Sequence, residues 1–134
     1  MSDRSTPSRR TADANRAMLE RAIAVISDDG PAAMSPFLAD DVEWYEIGRA
    51  EPIRGREALL AHLTRELDWH IVPFVDDLIA DDDHVVVLIR SHASRGRHTL
   101  NYRVAEIYDI RDGLVARRRA FSDDTAAIAA FFEE

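Results

Sequence analysis

Two glutamates carry most of the chemistry in this sequence. Glu46 follows Trp44 and Tyr45 in a short β-prone stretch, 42–47, and alternation puts it on the Trp44 side. Glu106 lies far along the chain, in a stretch, 99–110, where Leu100, Tyr102, Val104, Glu106, Tyr108 and Ile110 share one face. That face is apolar and aromatic, so it should point inward, with Glu106 a carboxylate in an apolar row. Left unpaired there, desolvation favours its neutral acid. The stretch 114–122 offers it a partner. Arg118, Ala120 and Ser122 share a face opposite Arg117, Arg119 and Phe121, which directs Arg118 toward Glu106 as an inner ion pair. Both states of Glu106 stay open at this point. Two carboxylates converging on one apolar cavity are an arrangement for proton transfer. Trp44, Tyr102, Val104, Tyr108, Arg118 and Ala120 would line that cavity. His92, on the strand face of Leu88 and Arg90, is the histidine best placed to meet a ligand.

Other chemistries lack their residues. There are no cysteines, which excludes disulfides, thiolate metal sites and thiol catalysis. The five histidines form neither H-x-H nor H-E-x-x-H, so no metal is expected. No Gly-rich phosphate loop or G-x-S-x-G elbow is present, and no cofactor is expected. The formal net charge of −8 argues against a nucleic-acid partner. No apolar run approaches the ~20 residues that span a bilayer. The first ten residues lack the apolar core of a secretory signal, so a cytoplasmic location without membrane contact is expected.

The elements that must position these residues follow from periodicity. Residues 1–11 read as a flexible polar tail, and 12–134 as one domain. A helix is predicted over 12–27, with Met18, Leu19, Ala22, Ile23 and Ile26 on its apolar side. Gly30-Pro31 ends it and opens a short second helix, 31–38. After the strand at 42–47 and a loop, a third helix is predicted over 56–67, with Leu59, Leu60, Leu63 and Leu67 on one side. Strands follow at 71–79, 84–92, 99–110 and 114–122, with Pro73 marking an edge or a bulge and turns at 81–83, 94–97 and Asp112-Gly113. Asp123 or Asp124 would cap a last short helix. Helices followed by a meander predict an α+β fold: a cone-shaped, curved antiparallel sheet packed against three N-terminal helices.

One further signal lies in short sequence blocks. Phe37-Leu38-Ala39-Asp40-Asp41-Val42-Glu43-Trp44 and Pro52-Ile53-Arg54-Gly55-Arg56-Glu57-Ala58-Leu59-Leu60 resemble the SnoaL-like domains of the nuclear transport factor 2-like superfamily. Asp112-Gly113 and Ala120-Phe121-Ser122-Asp123 extend the likeness to about 110 residues. The resemblance implies a cone-shaped α+β barrel that forms homodimers through its outer sheet face. Against the ketosteroid isomerases of that superfamily, Glu46, Glu51-Pro52 and Gly55 fall where those enzymes carry a catalytic base, a Glu-Pro pair and a helix-starting glycine. Glu106 falls where they carry a protonated acid that donates to an oxyanion. Their oxyanion tyrosine corresponds to Ala22, so Tyr102 or Tyr108 would have to supply the phenol. The last-strand acid of limonene epoxide hydrolases corresponds to Ala120, which disfavours that hydrolysis. The cyclase relatives close rings by acid–base chemistry, and Asp123 lies near the strand end where their acid sits.

Two functions are consistent with these residues. One is a cofactor-independent acid–base enzyme (isomerase, cyclase or dehydratase) for a small hydrophobic carbonyl compound, with Glu46 and Glu106 catalytic. The other is a non-catalytic ligand-binding or dimerisation module of the same fold.

Overall fold

The computed structural model describes residues 5–65 and 70–133, with side chains described over 11–65 and 70–132. Helix α1, Ser5–Asp29, contains the predicted apolar pattern but starts earlier, within the segment read as a tail. Pro7 falls in the first turn of α1, where a missing N–H costs no helical bond. Residues 1–4 of that predicted tail lie outside the described residues. Met18, Leu19 and Ala22 bury the inner side of α1. The helix predicted over 31–38 is instead a 3-10 segment, Pro31–Phe37. Pro36 lies inside it and removes a donor that a regular helix needs.

Strand β1, Leu38–Trp44, begins and ends earlier than predicted, because Leu38, Ala39, Val42 and Trp44 are the residues it buries. Glu46 therefore sits in the following loop rather than in the strand. Within the expected loop, Ile53–Arg54 forms a two-residue strand, β2, paired with Glu43 and Trp44. Helix α2, Arg56–Leu63, starts at Gly55 and buries Leu59. Leu67, predicted as part of this helix, lies outside the described residues.

The remaining strands are β3, His70–Ala80, β4, His84–Arg95, β5, His98–Arg111, and β6, Leu114–Phe121, before helix α3, Thr125–Glu133. They form an antiparallel meander, and β1 joins it parallel to β6, giving the order β2-β1-β6-β5-β4-β3. Pro73 lies on β3, an edge strand, as its missing donor requires, and a bulge follows between Val75 and Asp77. The β5–β6 turn is Asp112-Gly113, both at positive φ (54° and 77°), as a two-residue hairpin demands.

The fold is therefore α+β, helices on a curved sheet that stays open between its edges β2 and β3. Leu19, Leu38, Val42, Leu59, Val85, Val87 and Val115 form the fully buried centre, with Trp44 and Tyr108 packed edge to face beside them. The opposite, outer sheet face leaves Phe74, Leu88 and Phe121 exposed. Among the described residues, no helix is long and apolar enough to cross a membrane.

Candidate active site

Strand pairing brings the two glutamates to one arginine. In the β5–β6 ladder Tyr108 faces Arg118 and Glu106 faces Ala120, and in the β1–β6 pair Trp44 faces Arg118. Alternation then places Trp44, Glu106, Tyr108 and Arg118 together on the inner face. Arg118 Nη2 donates to Glu106 Oε2 at 2.5 Å, and Tyr108 Oη donates to Glu106 Oε1 at 2.8 Å. Glu106 thus accepts on both oxygens. The structure places it as the ion-pair partner of Arg118, the second of the two arrangements left open by its position in the sequence.

Arg118 also fixes the loop that carries Glu46. Its Nη1 donates to the Tyr45 carbonyl at 3.0 Å, and the Tyr45 N–H donates back to the Arg118 carbonyl at 2.8 Å. The same Nη1 lies 3.5 Å from Glu46 Oε2, a separation of opposite charges rather than a good hydrogen bond. Glu46 Oε1 meets His62 Nε2 from α2 at 2.7 Å. The guanidinium carbon of Arg118 stands 4.6 Å above the Trp44 ring. The space between the carboxylates is thus occupied by a guanidinium, where the sequence led us to expect an apolar hollow.

The electrostatics follow from this burial. Desolvation works against the Arg118 charge, but Glu106 chiefly, with Tyr108 and Glu46, outweighs it and holds the guanidinium above its ordinary range. Burial, reinforced by the Glu106 charge, pushes the Tyr108 phenol well above the usual tyrosine value. Tyr102, partly buried, is also raised, first by burial; a hydrogen bond with Ser91 opposes the shift and the Glu106 charge adds to it. The Nε of Arg118 is buried without a hydrogen-bond partner.

The other predicted site residues separate into groups. Trp44, Val104, Tyr108 and Ala120 are buried on the inner face, and Tyr102 keeps partial exposure there beside Ser91. His92 does not join them. It points to the outer face, where its Nδ1 meets Asn101 Oδ1 at 2.6 Å, because Ser91 and Ala93 take the inner positions of β4. On the opposite face, Arg117 and Arg119 both bind Asp109 of β5. Glu46 borders a surface cleft of about 470 Å³ together with Tyr45, Arg49, Ala120 and Thr125. Among the described residues, no group of three or more His, Asp or Glu side chains is arranged to hold a metal ion.

His62 is the group that sequence reasoning passed over. It sits between Leu59 and Leu63 on α2, with nothing in the local pattern to tie it to Glu46. The contact forms because α2 packs against β1 and the loop after β1 turns back over it.

No curated protein matches the chain. Among solved structures it is similar to Bal32a from a soil-derived mobile gene cassette, at 22% identity and a TM-score of 0.77, covering 90% of this chain and 98% of that one. An NTF2-like protein of Burkholderia xenovorans LB400 is similar at 20% identity and a TM-score of 0.72, over 89% and 95% of the two chains. An LEH-like epoxide hydrolase of M. tuberculosis is similar at 16% identity and a TM-score of 0.72, over 92% and 98%. At these identities the likeness is one of fold, the NTF2-like fold. Residues 5–118, most of the chain, match the SnoaL-like domain family. The protein is a member of the SnoaL-like domain family.

Proposed function

We propose that the protein is a cofactor-independent acid–base enzyme, an isomerase, cyclase or dehydratase, acting on a small hydrophobic carbonyl compound. The observation that carries this reading is the convergence of Glu46 and Glu106 on Arg118. Glu46 is the base. It is half-exposed beside the 470 Å³ cleft, and among the described residues the donor facing its Oε2 is Arg118 Nη1, 3.5 Å away. It removes a proton from the carbon α to the carbonyl; the C–H electron pair forms the C=C bond, and the carbonyl pair moves onto oxygen. Negative charge passes from Glu46 to the substrate oxygen, so the site keeps its net charge. Arg118, freed of its Glu46 partner at that moment, favours the new anion electrostatically. Glu106 serves to hold Arg118 and Tyr108 in place.

Deuterium exchange tests the proposal. Wild-type protein in D₂O should accelerate exchange at the α-carbon of 1-tetralone, and Glu46→Gln should lose about 10²-fold or more of that acceleration. Equal exchange by the two proteins would end the acid–base reading.

A second reading, a dimerising or ligand-binding module without turnover, draws on the outer face. Phe74, Leu88 and Phe121 are 53%, 38% and 55% exposed there, which suits a second copy of this chain as partner.

A further inference from the structure

We infer that His62 is a positioning residue for Glu46, an assignment that rests on the base role given to Glu46 above. The two oxygens of Glu46 have unequal partners. Oε1 meets His62 Nε2 at 2.7 Å, a full hydrogen bond, while Oε2 stands 3.5 Å from Arg118 Nη1. Glu46 lies outside regular structure, in the loop after β1, so its carboxylate is not oriented by a strand. His62 supplies that orientation from α2. With its Nε2–H donating to Oε1, the carboxylate plane is fixed and Oε2 becomes the oxygen with a free lone pair. The donor must be Nε2–H, because a bare Nε2 would set its lone pair against the carboxylate.

The histidine is suited to the task by its surroundings. Its side chain is 33% exposed, and its neighbours Leu59 and Leu63 anchor α2 in the core or against it. The helix therefore holds the ring steady while leaving it in reach of solvent. The proton taken at Oε2 stays on Glu46 for return to the substrate. His62 does not receive it, and for that reason it is a positioning rather than a catalytic residue.

Two measurements on the full chain test this. In ¹⁵N-histidine spectra at neutral pH, His62 should show a protonated Nε2, and that signal should shift in Glu46→Gln. A proton on Nδ1 with a bare Nε2 would overturn the assignment whatever the activity. In the 1-tetralone exchange assay, His62→Leu should lower kcat by roughly 10- to 100-fold, as misplacement of a reacting group does, with KM within about twofold. His62→Gln, which can still donate an N–H to Oε1, should recover most of the loss. If Glu46→Gln abolishes exchange while His62→Leu keeps the wild-type kcat, His62 has no positioning role and the base assignment stands. If Glu46→Gln exchanges as fast as wild type, the base reading fails and this inference falls with it.

Discussion

Arg118 shows how one residue sets the character of the site. A guanidinium inside the fold is tolerated because Glu106, Tyr45 and the Trp44 ring surround it. Removing one member of such a set leaves the others buried and unpaired. Arg118→Met should therefore destabilise the protein by about 3–5 kcal/mol in urea unfolding, the usual cost of breaking a buried ion pair. Replacing both partners, as in Glu106→Met with Arg118→Met, should cost less than Arg118→Met alone. A double variant that is the less stable of the two would show that Glu106 does not depend on Arg118. The tyrosines set a pH limit. Tyr102 and Tyr108 keep their protons in the fold at pH values where an unfolded chain releases them, near 10. Above that pH the folded state binds more protons than the unfolded one, so stability is complete below about pH 10 and falls as pH rises further. Urea midpoints at increasing alkaline pH, with absorbance at 295 nm following tyrosine ionisation, check this. Ordinary folded-state titration of both phenols would contradict it.

At the scale of elements, the loop between β1 and β2 decides where the base stands. Gly48 holds that loop at φ 77°, and a Cβ there would come 2.7 Å from Thr125 Cγ2 at the start of α3. Gly48→Ala should cost roughly 1–3 kcal/mol through backbone strain and this clash. Adding Thr125→Ser, which removes the clashing methyl but not the strain, should recover part of the loss in the same thermal or urea experiment. Asp124 Oδ1 accepts from the Ala127 N–H at 3.2 Å, so Asp124→Ala should weaken α3 by about 0.5–2 kcal/mol. Elements were legible where the local signal was strong. Alternation over 99–110 placed Glu106 inward, Asp112-Gly113 marked the hairpin, and Pro73 marked an edge. They were misjudged where tertiary pairing overrode the local pattern. β1 extends back to Leu38 because β6 offers it a parallel partner, and Pro31–Phe37 winds as a 3-10 segment around Pro36.

For the whole molecule, the open sheet presents an outer face on which Arg90 pairs with Asp76 and covers the Phe74 ring, while Leu88 and Phe121 remain bare. If two copies pair over that face, as the second reading proposes, sedimentation velocity should give a species of twice the 15.1 kDa chain mass. Leu88→Glu should then return it to the single-chain mass, since a buried unpaired carboxylate opposes association. A single-chain wild type at micromolar concentration would remove the dimer. The α+β class, the inward row of β5 and the opposed directions of Arg118 and its two arginine neighbours follow from the sequence by itself. They depend on side-chain alternation, which is a property of the local backbone. Three things were settled only in three dimensions: the seat of Glu46 between His62 and Arg118, the filling of the space between the acids by a guanidinium, and the turn of His92 to the outer face. Each depends on which element packs against which, and hydrogen-bond partners distant in the chain leave no periodic trace in the order of residues.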